Sequence, residues 1–124
     1  MTPGAKILLQ GSAIRAGYGT LALLFPKLLF GSVGMSEDEV DVEARYFNRL
    51  FGGRDLLVAG MTVLGVRAGQ ERQMTAVNLT CEATDSVSLL EELRSRGGMD
   101  RTLWIGLLFN LTGYATWLRA LVAR

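Results

Sequence analysis

The sequence predicts an all-α fold: an integral-membrane four-helix up-down bundle, with a short amphipathic interfacial helix between spans 1 and 2. Three observations carry this. Hydrophobic residues make up 49% of the 124 residues while 20% are charged, and the charges cluster between apolar runs, as in a membrane protein with short loops. The apolar runs approach the ~20 residues that cross a hydrocarbon core of ~30 Å. The loops between them are too short for anything but antiparallel packing of successive helices. A water-soluble four-helix bundle is the alternative, favoured only by the amphipathic third segment. The length gives one domain, residues 1–124.

The first segment runs from about Ile7 to Phe30, with a kink or late break expected at Pro26 and Lys27 near enough to an interface to snorkel. Ala13 and Gly17 form a small-xxx-small pair for close helix approach. The run is broken by Gln10, Ser12 and Arg15 and lacks a small-residue cleavage site, so no cleavable signal peptide is expected. The polar block Ser36 to Arg49 comes next. Ser36 with Glu39 fits a capping box, and Glu37 and Asp38 suit a first helical turn. Val40, Ala44, Phe47 and Phe51 recur at helical spacing, so this block reads as a helix lying on the membrane surface.

The second span, Leu50 to Val66, opens on GGRDLL, and RAGQER closes it. The third runs from about Met74 to Leu93, with Arg94 and Arg96 complementing the carbonyl end of its dipole and Gly97 and Gly98 as its stop. Asp100 is positioned to cap the fourth segment, Thr102 to Val122. There Gly106, Asn110, Gly113 and Trp117 share a stripe suited to close packing with an interhelical hydrogen bond. Trp104 and Trp117, ~20 Å apart at ~1.5 Å rise per residue, suit aromatic anchors near two interfaces. Positive residues divide evenly between the two sides, so orientation stays open.

The chemistry concentrates in the third segment. Asn78, Glu82 and Asp85 lie three or four residues apart and so share a helix face. Carboxylates at membrane depth are costly unless paired or hydrated, and two of them one turn apart oppose each other's ionisation. Arg54, beside Asp55, is the natural counter-charge, since guanidinium binds carboxylate bidentately. One arginine does not balance two carboxylates; either Arg15, Arg45 or Arg49 joins it, or one carboxyl holds its proton. Arg54, Asp55, Asn78, Glu82, Asp85 and Asn110 thus form the candidate polar cluster, read either as a buried ion pair fixing helix register or as a ligand site.

Other chemistry is excluded. The chain has no histidine, which removes Ser-His-Asp catalysis and the usual zinc and haem ligation. One cysteine, Cys81, forms no internal disulfide. The net charge of +1 gives no footprint for nucleic acid. No catalytic residue, cofactor or metal site is expected.

The Gly53, Arg54, Asp55, Leu56 run opening the second span, with Asp85 midway along the third, resembles a group of DoxX-like four-helix bacterial membrane proteins. The chain departs from that pattern in lacking a histidine in the fourth segment, in carrying Glu82 and in its acidic stretch before the second span. The resemblance implies the fold and a multi-pass place in the inner (plasma) membrane. Heavy use of Gly and Arg with little Lys points to a GC-rich, actinobacterial source. By analogy, the expected role there is a non-catalytic accessory subunit of an envelope or lipid-transport complex. Its partners would be the bilayer and another membrane protein or a second copy. The alternative is a lipid-binding module or small membrane enzyme built on the Arg/Asp/Glu cluster.

Overall fold

The computed structural model describes residues 1–32, 35 and 41–123. They form five helices: α1 (Pro3–Leu24), α2 (Pro26–Ser32), α3 (Val42–Arg67), α4 (Glu71–Arg96) and α5 (Arg101–Val122). The all-α expectation holds, with three differences in detail.

The first segment is two helices. Proline has no N–H to give the carbonyl four residues back and disfavours helical backbone at the residue before it. The chain accordingly leaves the helix at Phe25 and starts again with Pro26 as the first residue of α2, a position where the missing N–H is harmless. The interfacial helix and the second span are instead one 26-residue helix, α3. Its start is set by Asp41, whose carboxylate accepts the Ala44 N–H at 2.7 Å. The capping box Ser36–Glu39, with Glu37, Asp38 and Val40, lies outside the described residues. Third, among the described residues α5 alone is long and apolar enough to cross a membrane. The other three long helices reach the length, but α1 is interrupted by Lys6, Gln10 and Arg15, α3 carries five charges from Glu43 to Asp55, and α4 has charges at both ends and at Glu82 and Asp85.

The chain divides into two compact units, Met1–Gly11 with Gly65–Arg124, and Ser12–Leu64. In the first, α4 and α5 form an antiparallel hairpin: Glu82 meets Trp117, Ser86 meets Asn110, and Leu89 lies against Gly106. Gly97, at φ 74°, ends α4 in the left-handed conformation that glycine adopts without penalty. Asp100 then caps α5 by accepting the Leu103 N–H at 2.9 Å. Leu8 at the start of α1 packs with Met74, Trp117 and Ala120 as the apolar core of this unit.

In the second unit α1 and α3 also run antiparallel, Arg15 against Asp55 and Ala22 against Gly52. They cross at Gly19 and Gly52, each of which lies against the other's carbonyl oxygen with no room for a Cβ. The close approach expected at Ala13 and Gly17 falls instead at Gly19, two residues on and on another face of the helix. Ala13 and Gly17 are exposed, and a Cβ on Gly17 would meet nothing.

Polar side chains are buried beside apolar ones, and many large apolar side chains are exposed. Thr62 and Asn78 are fully buried, and Asp55, Glu82 and Asn110 are nearly so, at 6%, 7% and 7% exposed. By contrast Leu57, Leu64 and Leu108 are 65%, 67% and 62% exposed.

Candidate functional site

The sequence-selected residues fall into both units. In the first, the inward stripe of α4 is Met74, Thr75, Asn78 and Glu82, all buried, with Asp85 and Ser86 half-buried one turn on. A four-residue step drifts slowly around a helix of 3.6 residues per turn, so Asn78 and Glu82 share the inner face and Asp85 sits at its margin. Asn78 turns its amide onto its own helix, donating to the Met74 carbonyl at 2.8 Å.

Glu82 is the centre of the network. Its Oε1 accepts from the Trp117 indole N–H at 3.1 Å and its Oε2 from Asn110 Nδ2 at 3.1 Å. The same Asn110 nitrogen donates its second proton to the Glu82 backbone carbonyl at 3.0 Å, which that carbonyl accepts beyond its place in the helix. Asn110 Oδ1 accepts from Ser86 Oγ at 2.7 Å, so both donors and the acceptor of the amide are engaged. Ser86 Oγ is also 3.0 Å from the Tyr114 hydroxyl. The Glu82 backbone carbonyl lies 3.0 Å from the same Oγ; with the single proton of Ser86 turned to these acceptors, Ser86 accepts from Tyr114.

Room for the carboxylate is made by Gly113, where any Cβ would collide with the Glu82 carboxyl group. Gly106 is exposed and its Cβ position is 3.9 Å from Leu89, ordinary packing distance. Trp104 is 55% exposed, whereas Trp117 is 3% exposed. Trp117 is thus a core residue and hydrogen-bond donor, and not an interfacial anchor. Trp117 lies on the stripe expected to make an interhelical hydrogen bond and makes one, whereas sequence reasoning passed over Ser86 and Tyr114 as site members. The signal was present in the spacing, since Asn110, Tyr114 and Trp117 follow one another by four and three residues.

The second unit holds the charge cluster. Asp55 on α3 accepts from Arg15 on α1 at 3.1 Å and from the neighbouring Arg54 at 3.4 Å, both at Oδ1. The side chains of Arg15 and Asp55 are each 8% exposed and that of Arg54 is 34% exposed. The Arg54 guanidinium also lies 4.5 Å from the Phe51 ring centroid, within cation–π range. Asp55 is thereby held between two guanidinium groups, with α1 tied to α3 by the Arg15 pair.

Among the described residues no group of three or more His, Cys, Asp or Glu side chains is placed to hold a metal. Cys81 is free and half-buried. Glu82 with Trp117 and Asn110, and Arg15 with Asp55, join two helices within their own unit, which fixes register and rotation there. Comparison of the chain with protein-family models, with curated proteins and with solved structures finds no match in any of the three.

Proposed function

We propose that this chain is a multi-pass protein of the inner membrane, working as a non-catalytic subunit that packs against a larger envelope or lipid-transport assembly. The observation that carries the reading is the exposure of many leucines together with the burial of Asp55, Asn78, Glu82 and Asn110. Water would penalise an outer surface of this kind, since contiguous apolar patches on soluble monomers rarely exceed a few hundred Å². Lipid makes it the stable arrangement, because backbone and polar side chains must find their partners inside. In α5, the helix apolar enough to span, 17% of the most apolar stretch is buried, too little for the central helix of a water-soluble core.

The non-catalytic part rests on the state of the carboxylates. Glu82 and Asp55 are each addressed by two donors from side chains of their own unit, an arrangement suited to locking helices in register.

The test is extraction of the tagged chain from membranes of a bacterial host. The chain should stay in the pellet through an alkaline carbonate wash, and single cysteines placed in the 97–100 and 68–70 loops of a Cys81→Ser background should label from opposite faces. Gentle detergent extraction should then bring a stoichiometric membrane partner. A chain released by carbonate would sink the membrane reading, and a lone chain in detergent the subunit reading.

A further inference from the structure

The first unit carries different charge at its two ends. Apart from Arg124, every charged residue of this unit is described. At the α4–α5 turn the charges largely cancel: Arg94 pairs with Glu91 at 3.6 Å, and Arg96 with Glu92 at 2.9 Å and with Asp100 at 2.7 Å. Glu82 and Asp85 lie midway along α4. The opposite end collects Lys6 in the first turn of α1, Arg67 at the close of α3, Arg72 in the first turn of α4 and Arg119 in the last turn of α5. Contacts within the unit bring these helix ends together. Thr2 Oγ1 donates to Glu71 at 2.8 Å, Gly4 lies against the backbone of Ala120 and Ala123, and the Gln70 N–H returns to the Gly65 carbonyl at 2.8 Å. All four cations are exposed, and none of them forms an ion pair among the described residues. The unit has a single carboxylate at this end, Glu71. Lys6 and Arg72 stand in first turns, where the helix dipole opposes a cation, so their own helices do not account for them.

We propose that this end of the unit seats on the headgroups of anionic phospholipid and is the cytoplasmic end of the protein. The inference rests on the membrane reading above and adds to it a lipid partner and an orientation. Arg101 and Arg119 are separated along α5 by ~27 Å at ~1.5 Å rise per residue, so the two ends of this helix reach the two edges of a hydrocarbon core of ~30 Å. Their surroundings then decide which edge is which. An arginine paired with a carboxylate beside it has little field left for lipid, whereas four cations outside ion pairs attract a surface of opposite sign. The cytoplasmic leaflet carries that sign, and basic residues next to a span are drawn to it. Zwitterionic headgroups offer no net counter-charge. Long basic side chains reach the phosphate layer while their stems lie along apolar surface, and arginine fits phosphate bidentately. Counted by sequence, positive residues divide evenly between the two sides; the ion pairs at the α4–α5 turn break the tie.

Two readouts on the full chain test this. In spheroplasts carrying the Cys81→Ser protein, a membrane-impermeant maleimide should label Gly98→Cys in the turn, and should reach Ala68→Cys only after lysis. Native mass spectrometry in dodecyl maltoside, with equal phosphatidylglycerol and phosphatidylcholine, reads the partner. The unaltered chain should keep phosphatidylglycerol in preference. K6Q/R67Q/R72Q/R119Q should lose about tenfold or more of that preference, since each cation near an anionic surface adds about fivefold. R94Q/R96Q/R101Q should keep it, as should K6R/R67K/R72K/R119K, which holds the charge and controls for folding at these exposed positions. Labelling of Ala68→Cys in unlysed spheroplasts, equal retention of the two lipids, or full preference in K6Q/R67Q/R72Q/R119Q would each overturn the proposal. A chain released from membranes by alkaline carbonate would take the membrane reading with it. A carbonate-resistant chain with reversed labelling or no lipid preference overturns this inference alone.

Discussion

Both carboxyl oxygens of Glu82 accept hydrogen bonds, and the residues around it supply N–H donors from two turns of α5. Removing a donor from such a site leaves a buried acceptor uncovered, which costs about 1–3 kcal/mol. Trp117→Phe keeps the ring and deletes the N–H, and Asn110→Ala deletes two donors and an acceptor. Both should lower unfolding stability in detergent by about 1–3 kcal/mol, Asn110→Ala by the larger amount, and an effect below ~0.5 kcal/mol would mean that the network is not held in solution. Glycine substitutions provide the steric counterpart. Gly113→Ala forces the carboxyl group off its donors and should destabilise by about 1–3 kcal/mol. Gly17→Ala enters open space and should gain up to about 1 kcal/mol from helix propensity. Thermal melts of the two variants side by side check the sign of each.

At the scale of elements, the turn between α4 and α5 is held by charge as well as by backbone. Arg96 donates to Glu92 at 2.9 Å and to Asp100 at 2.7 Å. The Leu103 N–H and the Arg96 guanidinium hold the Asp100 carboxyl below its ordinary value of 3.8. A depressed folded value means that this carboxylate stabilises the fold above pH ~4, and that its contribution disappears as the pH falls through the lower folded value. Asp100→Asn keeps a competent cap but has no charge to titrate. Its melting temperature should therefore fall less than that of the unaltered protein between pH 6 and pH 2.5, whereas Asp100→Ala should be less stable at both. Parallel pH profiles for the unaltered protein and Asp100→Asn would rule the linkage out. Asp100 and the Gly97 stop were legible in the sequence because caps are local signals. Asp41 was not singled out, because it lies inside a run of acidic residues in which the polar block masks the helix start.

For the whole molecule, helical content and the inward placement of Asn78, Glu82 and Asn110 follow from spacing alone, because side chains three or four apart share a face whatever that face meets. What spacing does not contain is the partner. Periodicity on α5 puts Trp117 on a stripe with Asn110, yet whether that stripe faces lipid or another helix depends on α4 and on Leu8, distant in sequence. The same limit applies to Arg15, whose pairing with Asp55 joins residues forty positions apart, and to the helix crossing, which depends on where Gly19 and Gly52 come level. The boundary between surface helix and span within α3 failed for a different reason: nothing from Leu50 to Gly53 breaks helical hydrogen bonding, so polarity changes along the helix without ending it.

The α4–α5 hairpin has a consequence for biogenesis. On the membrane reading proposed above, α4 carries too many charged and amide groups to leave an insertion channel for lipid alone, whereas α5 is long and apolar enough to do so. The carboxylate of Glu82 finds its donors on residues that are synthesised some thirty positions later. In a chain that enters a bilayer, α4 must then wait at the channel until α5 emerges, and the two go in as one folded hairpin. The order of synthesis is thus also the order in which this carboxylate becomes affordable to bury.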